Sequence, residues 1–266
     1  MTMQSSKHIS KISFIIKTVV SQPGLSFFLL AACAPSHQQI GEDLKSLGAH
    51  PRFQSQEKII GENDLLPVNG DASNLPKNLQ PLASAVGQLN VGCTATHIGN
   101  GLALTAGHCV SVSPRSSSSS CRSLGIVWGN RGTQPTLSVS KCLQIVERKY
   151  TGGLDFALLK IENPPSTFIP VETENPQSSR FVTMLSFPRM RPLEWSKNCE
   201  IREYNNPSLA TLKFFHDCDS ESGSSGAAII DQQTLKIVGI HGGAGDEFNY
   251  GMFSSGFNLK IPKPAL

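Results

Sequence analysis

The sequence lacks the charge excess and the metal-binding spacings that identify several common classes of protein. Its formal net charge is +3 over 266 residues, and Lys7, Lys11 and Lys17 account for all of it, because residues 1–32 contain no Asp, Glu or Arg. The remaining chain is neutral, which argues against a nucleic-acid partner, since such proteins neutralise phosphates with basic surfaces. No Cys-x-x-Cys motif and no histidine-rich cluster is present. We therefore predict no metal site.

Long apolar stretches are also missing. The run near the N-terminus is interrupted by Lys17 and by Pro23-Gly24, so it is too short and broken for a membrane helix. The basic-then-apolar order of residues 1–32 predicts an export signal. Leu30-Ala31-Ala32-Cys33 resembles a bacterial lipobox, in which the cysteine is lipidated and becomes the first residue; the alternative is ordinary secretion with an unmodified Cys33. We expect a protein anchored at the bacterial cell envelope only through that lipid, or a secreted one.

The chain has seven cysteines, and an even number, six, remains when Cys33 is excluded. The other six are Cys93, Cys109, Cys121, Cys142, Cys199 and Cys218. An even set in an exported protein predicts three disulfides, because such compartments are oxidising. The sequence alone leaves their pairing open.

The domain organisation follows from changes of pattern along the chain. Residues 34–58 are polar with little periodicity and predict a tether or propeptide. From about Leu82 short apolar runs alternate with Gly, Asn and Pro, a pattern typical of an all-β sandwich or barrel. The Pro-rich stretch 163–176 predicts a boundary between two β units, at about 80–162 and 178–260, within one domain of residues 59–266.

Three short motifs carry residues with catalytic chemistry. His108 ends the run Leu104-Thr105-Ala106-Gly107-His108, Asp155 follows a Gly-Gly turn at the mouth of a strand, and Ser225 lies in Gly223-Ser224-Ser225-Gly226. A serine is a useful nucleophile only when a base takes its proton and backbone N–H groups face the oxyanion. Taken singly, each residue could instead be a core histidine, a turn-forming carboxylate or a loop serine.

Together these motifs resemble the chymotrypsin-fold serine proteases, whose residue order is His, Asp, Ser, over roughly residues 59–257. The resemblance implies two six-stranded antiparallel β-barrels with the active site in the cleft between them. It assigns His108 as general base, Asp155 as the residue that orients it, Ser225 as nucleophile, and the N–H groups of Gly223 and Ser225 as the oxyanion hole. It further implies an endopeptidase that forms an acyl-enzyme, acts on protein or peptide substrates as a monomer and needs no cofactor.

The same resemblance implies a disulfide between Cys93 and Cys109, which in this family spans the histidine loop. The pairing of the remaining four cysteines stays open. A pair Cys121–Cys142 would close a local hairpin, and a pair Cys199–Cys218 would brace the approach to the nucleophile loop.

Finer features are similar to the bacterial glutamyl endopeptidases, namely the segments 60–64 and 239–243. Substrate preference nevertheless stays open. Asp219 lies where trypsin-like enzymes attract a basic side chain, whereas His241 and Ser220 lie where glutamyl enzymes hold a carboxylate. An ionised Asp219 facing the same pocket would repel glutamate, so the two roles exclude each other. Asp219 could instead be a structural carboxylate bonded to loop amides. The strand from Gly239 to Gly243 could pair with a bound peptide.

Two other hypotheses remain from the sequence. One is a catalytically silent surface lipoprotein that keeps the fold as a peptide-binding module. The other is a protease kept latent by residues 34–58, a zymogen, and opened by a cut near Lys58-Ile59, since exposed polar segments ahead of domains are readily nicked.

Overall fold

The computed structural model of the protein describes residues 57–110, 121–132, 138–151, 153–174, 180–257 and residue 259. The chain divides into two units, residues 1–33 and 34–266, and every described residue belongs to the second. The predicted export signal, Cys33 and residues 34–56 lie outside the described residues. Among the described residues, no helix has the length and apolar character needed to span a membrane.

The described part of the chain is built from fourteen β-strands and four short 3₁₀ helices, with no α-helix. This confirms the all-β prediction. The 3₁₀ helices are Gln80–Ala85, Gly107–Cys109, Pro188–Met190 and Ser254–Phe257. The second of them carries His108.

The first barrel is closed and six-stranded. Its strands are β2 (Val86–Leu89), β3 (Cys93–His97), β4 (Leu102–Thr105), β5 (Gly125–Trp128), β6 (Ser138–Thr151) and β7 (Leu154–Ile161), in the order β2-β3-β4-β7-β6-β5. Aliphatic and aromatic side chains fill it, and the Nε1–H of buried Trp128 donates to Ser140 Oγ at 2.8 Å. A buried indole N–H needs such a partner.

The second barrel is also closed by six antiparallel strands. They are β8 (Phe181–Ser186), β10 (Cys199–Glu203), β11 (Lys213–His216), β12 (Ala228–Asp231), β13 (Ile237–Ala244) and β14 (Asn249–Phe253). The ladder β8-β10-β11-β14-β13-β12 closes where β12 pairs with β8, through Ile229 and Met184. The short strands β9 (Glu194–Trp195) and β1 (Leu66–Pro67) extend it at one side. The predicted pair of six-stranded barrels is therefore confirmed.

One apolar cluster joins the two barrels. It contains Leu104 and Phe156 of the first barrel together with Ile240 and Met252 of the second. Phe257 stacks on Phe156 with ring centroids 4.4 Å apart. Because these side chains are almost fully buried, the cluster holds the 3₁₀ helix that carries His108 (the histidine loop) and residues 223–226 (the serine loop) in one fixed arrangement.

Two strands of the second barrel carry no clear signal in the sequence. The stretch 187–208, which shows no strand pattern, contains β10, and β14 falls in a run broken by glycine. Both β10 and β14 are completed by their neighbours, since β10 pairs with β8 and β11, and β14 pairs with β11 and β13. Barrel closure, rather than local propensity, places them.

The six cysteines form three disulfides, Cys93–Cys109, Cys121–Cys142 and Cys199–Cys218. The first ties the start of β3 to the 3₁₀ helix that carries His108, and the third ties β10 to the segment that leads to Ser225. Each closes a loop of 16 to 21 residues. In the chain-entropy model such a loop contributes about 3 kcal/mol.

Candidate active site

His108 and Asp155 are brought together by the pairing of β4 with β7. Thr105 at the end of β4 lies opposite Ala157, so the residues just beyond β4 face the start of β7. The ring Nδ1 of His108 lies 2.6 Å from Asp155 Oδ2, and the backbone N–H of His108 donates to Asp155 Oδ1 at 2.8 Å. One carboxylate accepts both bonds, one from the backbone and one from the ring. Together they fix the position and the tautomer of the imidazole, leaving Nε2 as a proton acceptor.

Gly107 makes this close approach possible. A Cβ at this position would lie 2.1 Å from Lys149 O, 2.9 Å from Phe156 O and 3.1 Å from Asp155 Oδ1. Two of these neighbours are backbone atoms of paired strands and cannot yield cheaply. The carbonyl of Gly107 also accepts from Arg148 Nε at 2.8 Å. The sequence therefore needs glycine here so that the histidine backbone reaches the carboxylate.

Ser225 lies in the loop that enters β12, between two glycines whose surroundings leave no room for a side chain. Gly223 has φ +109° and a Cβ there would lie 2.4 Å from Phe187 O. Gly226 has φ +81°, and a Cβ would meet Thr105 Oγ1 at 2.4 Å. Both glycines thus combine a left-handed backbone with close packing.

Thr94 of the first barrel holds the serine loop of the second. Its hydroxyl donates to Gly223 O at 2.8 Å and accepts from the Phe187 N–H at 3.1 Å. Its N–H donates to Ser225 O at 2.9 Å, and its carbonyl accepts from Thr105 Oγ1 at 2.7 Å. Ser225 O also lies 4.0 Å from Sγ of Cys109, the residue after His108. The loop carrying Ser225 is therefore placed against the histidine loop.

The side chain of Glu57 reaches this site from the N-terminal segment. The hydroxyl of Ser225 donates to Glu57 Oε1 at 2.6 Å, and His241 Nε2 lies 3.6 Å from the same oxygen. The side chains of Glu57 and His241 are both fully buried. We call the space around this carboxylate, bordered by Ser225 and His241, the carboxylate pocket.

A second histidine lies behind His241. His216 Nε2 is 3.0 Å from His241 Nδ1, and both rings are fully buried. Burial, with a smaller contribution from His241, lowers the pKa of His216 well below its ordinary value. One of these two nitrogens donates the hydrogen of this bond and the other accepts it, so the two rings hold each other in place.

Asp219 and Ser220 face the N-terminal segment. One oxygen of Asp219 accepts from the Ile60 N–H at 2.7 Å and the other from the Asp64 N–H at 2.6 Å. Burial raises the pKa of Asp219, and these two bonds oppose the rise. Ser220 exchanges backbone and side-chain bonds with Lys58, at 3.1 and 3.3 Å. Asp219 thus has the contacts of a structural carboxylate.

The prediction that a peptide pairs along Gly239 to Gly243 needs correction at its first three residues. Gly239 lies opposite Ile229 on β12 and Phe253 on β14, so both of its edges are occupied within the barrel. A Cβ there would lie 2.6 Å from the Phe214 ring. The register of β13 with β12 ends at Ile240, and the backbone of His241 is still bonded to the two residues before β12, at 2.8 and 2.9 Å. Gly243 pairs with Tyr250 on the β14 side. Barrel closure takes the edge that the sequence pattern left open.

The one metal-type grouping among the described residues is Cys93, His108 and Cys109. The two sulfurs are joined in a disulfide and offer no thiolate. A metal also requires deprotonated sulfur ligands, so this grouping is part of the histidine loop and not a metal centre.

Three residues of the site have no motif that would have revealed them. Glu57 lies in the polar segment, Thr94 reads as an ordinary strand residue, and His216 precedes the nucleophile stretch without special spacing. The only available signal was for His216, whose neighbours alternate as in a half-buried strand, with Phe214 and His216 on the same side. The other two are recognised only by their contacts.

The two closed barrels, with a hydrogen-bonded His–Asp pair on the first and a glycine-flanked serine on the second, define a protein of the chymotrypsin class. The family model described as the trypsin-like peptidase domain matches residues 93–240, just over half of the chain. The chain belongs to this family, and membership supports proteolysis as its function. No curated protein sequence matches the chain.

Two solved structures are similar to the chain. A Glu endopeptidase in complex with MPD superposes with a TM-score of 0.56 at 18% identity, covering 74% of this chain and 94% of that chain. The inactive form of the Rv3671c protease gives a TM-score of 0.49 at 18% identity, covering 67% of this chain and 87% of its own. At this identity the first comparison establishes the fold.

Proposed function

We propose that this protein is a serine endopeptidase in which His108, Asp155 and Ser225 act as the catalytic triad. The observation that carries the proposal is the doubly bonded His108–Asp155 pair beside the loop of Ser225. Asp155 holds the imidazole in the tautomer that accepts at Nε2 and stabilises the imidazolium that forms. Family membership gives independent support.

Peptide hydrolysis follows in two stages. Ser225 Oγ attacks the scissile carbonyl while its proton passes to His108 Nε2, and His108 then protonates the leaving amine, which leaves an acyl group on Ser225. Water repeats the cycle and releases the acid. The N–H groups of Gly223 and Ser225 would bind the oxyanion, and the left-handed φ of Gly223 is consistent with this role. No cofactor takes part in these steps.

We further propose that the enzyme cuts after acidic residues, with His241 as the pocket residue. A carboxylate, that of Glu57, already lies 3.6 Å from His241 Nε2. His216, bonded to His241 Nδ1, holds the ring so that its Nε2 faces that carboxylate. Asp219 directs both oxygens at Ile60 and Asp64, which disfavours a basic preference.

The test is to map cuts in a mixed peptide library by mass spectrometry and to label Ser225 with a fluorophosphonate. Both the full-length chain and a Glu57→Gln variant would be used, because the latter removes the carboxylate beside Ser225, and Ser225→Ala serves as the blank. We expect labelling at Ser225 and cuts after Glu. Cuts after Arg or Lys would contradict the acidic preference. Absence of cuts and label in both forms would contradict the protease assignment and leave the binding module.

Replacing His241 with Gln should reduce the preference for Glu over Gln at the cleaved position by about 10- to 100-fold, because a charge-assisted hydrogen bond is worth about 1.5–3 kcal/mol. Gln can still bond His216, so the barrel should remain intact. The measurement is the ratio of kcat/KM for paired Glu and Gln peptides. His97→Gln, at a buried histidine bonded to Thr167 O outside the site, is the matched control. An unchanged ratio in His241→Gln would remove His241 from the pocket.

Export and lipidation at Cys33 remain proposals that rest on the sequence of residues 1–33. They are supported by the basic-then-apolar order and by the lipobox-like Leu30–Cys33. Mass spectrometry of the N-terminal peptide from the expressed protein would distinguish a lipidated Cys33 from ordinary secretion.

A further inference from the structure

The N-terminal segment places an acidic side chain in the pocket that the proposed function assigns to acidic substrates. Glu57 Oε1 accepts from Ser225 Oγ at 2.6 Å and lies 3.6 Å from His241 Nε2. Its side chain is fully buried, although it precedes the first strand and the chain before it is polar. Burying a carboxylate is unfavourable unless polar groups receive it, so this arrangement is a specific one.

Each polar group of Lys58, in its backbone and in its side chain, is hydrogen-bonded. Its N–H bonds Asn249 Oδ1 at 3.1 Å and Ser220 Oγ at 3.3 Å, and its carbonyl accepts from Asn249 Nδ2 at 2.7 Å and from the Ser220 N–H at 3.1 Å. Its ammonium donates to Gly245 O at 3.2 Å and to Asp246 O. With its backbone and side chain fixed, Lys58 leaves the adjacent Glu57 little freedom to depart from the carboxylate pocket.

Asp219 anchors the chain further along. By accepting from the N–H groups of Ile60 and Asp64, it ties down the turn that follows Lys58. Asn249, which grips Lys58, also donates to Cys218 O at 2.9 Å, one residue before Asp219. The residues that hold the N-terminal segment therefore contact or belong to the stretch of chain just before Ser225.

We propose that Glu57 is a built-in occupant of the carboxylate pocket that keeps the protease latent. This rests on the proposed function and names the residue responsible for its regulation. Glu57 blocks the reaction in two ways. It takes the place that a substrate carboxylate needs beside His241, and it receives the single hydroxyl proton of Ser225, which attack requires to pass to His108.

The experiment compares the full-length wild type with Glu57→Gln and Glu57→Ala, using Glu62→Gln as the matched control. Glu62 is an exposed acid in the same segment, so its replacement changes the net charge equally. The readouts are the rate of fluorophosphonate labelling at Ser225 and kcat/KM on a Glu-containing peptide. Intact mass at each time point shows whether the chain has been cut. Melting temperatures confirm that the variants fold.

We expect both Glu57 variants to label and hydrolyse about tenfold faster or more than the wild type, since apparent activity scales with the open fraction. Glu62→Gln should match the wild type. Equal labelling of Ser225 in all four uncut proteins would overturn the latency while leaving the protease assignment intact. No labelling in any of them, with normal melting, would overturn both.

Discussion

Replacing Asp155 with Asn is expected to lower kcat for peptide hydrolysis by about 10⁴-fold, because an amide cannot hold His108 in the tautomer that accepts at Nε2. In the structure the carboxylate makes two bonds to His108, from the ring at 2.6 Å and from the backbone at 2.8 Å. Asn keeps the shape and one acceptor, so the backbone bond can survive while the amide N–H₂ favours the tautomer of His108 that carries its proton on Nε2. The loss should therefore appear in kcat rather than in folding.

The measurement is single-turnover acylation of Ser225 in a Glu57→Gln background, so that an occupied pocket does not mask the chemistry. Asp71→Asn, at an exposed aspartate bonded to Ser73, provides the matched control and should acylate at the parent rate. A fall of less than about tenfold in Asp155→Asn, with an unchanged melting temperature, would show that His108 is oriented by other groups.

Replacing Gly107 with Ala is expected to lower activity by about 100-fold or more and stability by about 1–3 kcal/mol. The added methyl would lie 2.1 Å from Lys149 O and 3.1 Å from Asp155 Oδ1, so the histidine loop must move away from β6 and β7. A shift near 1 Å is enough to disturb a triad. We would measure acylation of Ser225 and the melting temperature in the same Glu57→Gln background.

The Gly132→Ala variant is the control for Gly107→Ala, because it introduces backbone strain without steric contact. Gly132 has φ +69°, and a methyl group added there would have no atom within 4 Å, whereas the obstacle at Gly107 is contact. We expect Gly132→Ala to cost about 1–2 kcal/mol of stability through backbone strain and to leave acylation unchanged. If Gly107→Ala were as active as Gly132→Ala, the close packing around Gly107 would not be what positions His108.

Several features of the fold and of the candidate site can be predicted from local sequence patterns. Short apolar runs cut by Gly, Asn and Pro are enough to indicate an all-β chain, and the His, Asp and Ser motifs, in that order, resemble those of the family. The glycines around Ser225 are predictable for the same reason, since only glycine adopts φ +109° or +81° next to packed backbone. These features depend on a residue and its near neighbours.

Strand pairing and pocket occupancy depend instead on residues far apart in the chain. The ladders that complete β10 and β14 form because the second barrel closes, and the same closure occupies both edges of Gly239. Glu57 meets Ser225 across a separation of 168 residues, and Asp219 meets Ile60 across 159. No local pattern can specify such pairs, because their energy arises only when two barrels have folded against each other.

By itself, the sequence determined an all-β chain and, through its His, Asp and Ser motifs, its resemblance to the trypsin-like peptidases. Export and the roles of His108, Asp155 and Ser225 are predictions that rest on the same short motifs. Only the tertiary structure decided which cysteines pair, that Asp219 turns toward the N-terminal segment, and that Glu57 lies against Ser225 and His241. The physical reason is that direction, burial and hydrogen-bond partners are properties of a closed barrel and not of the residue alone.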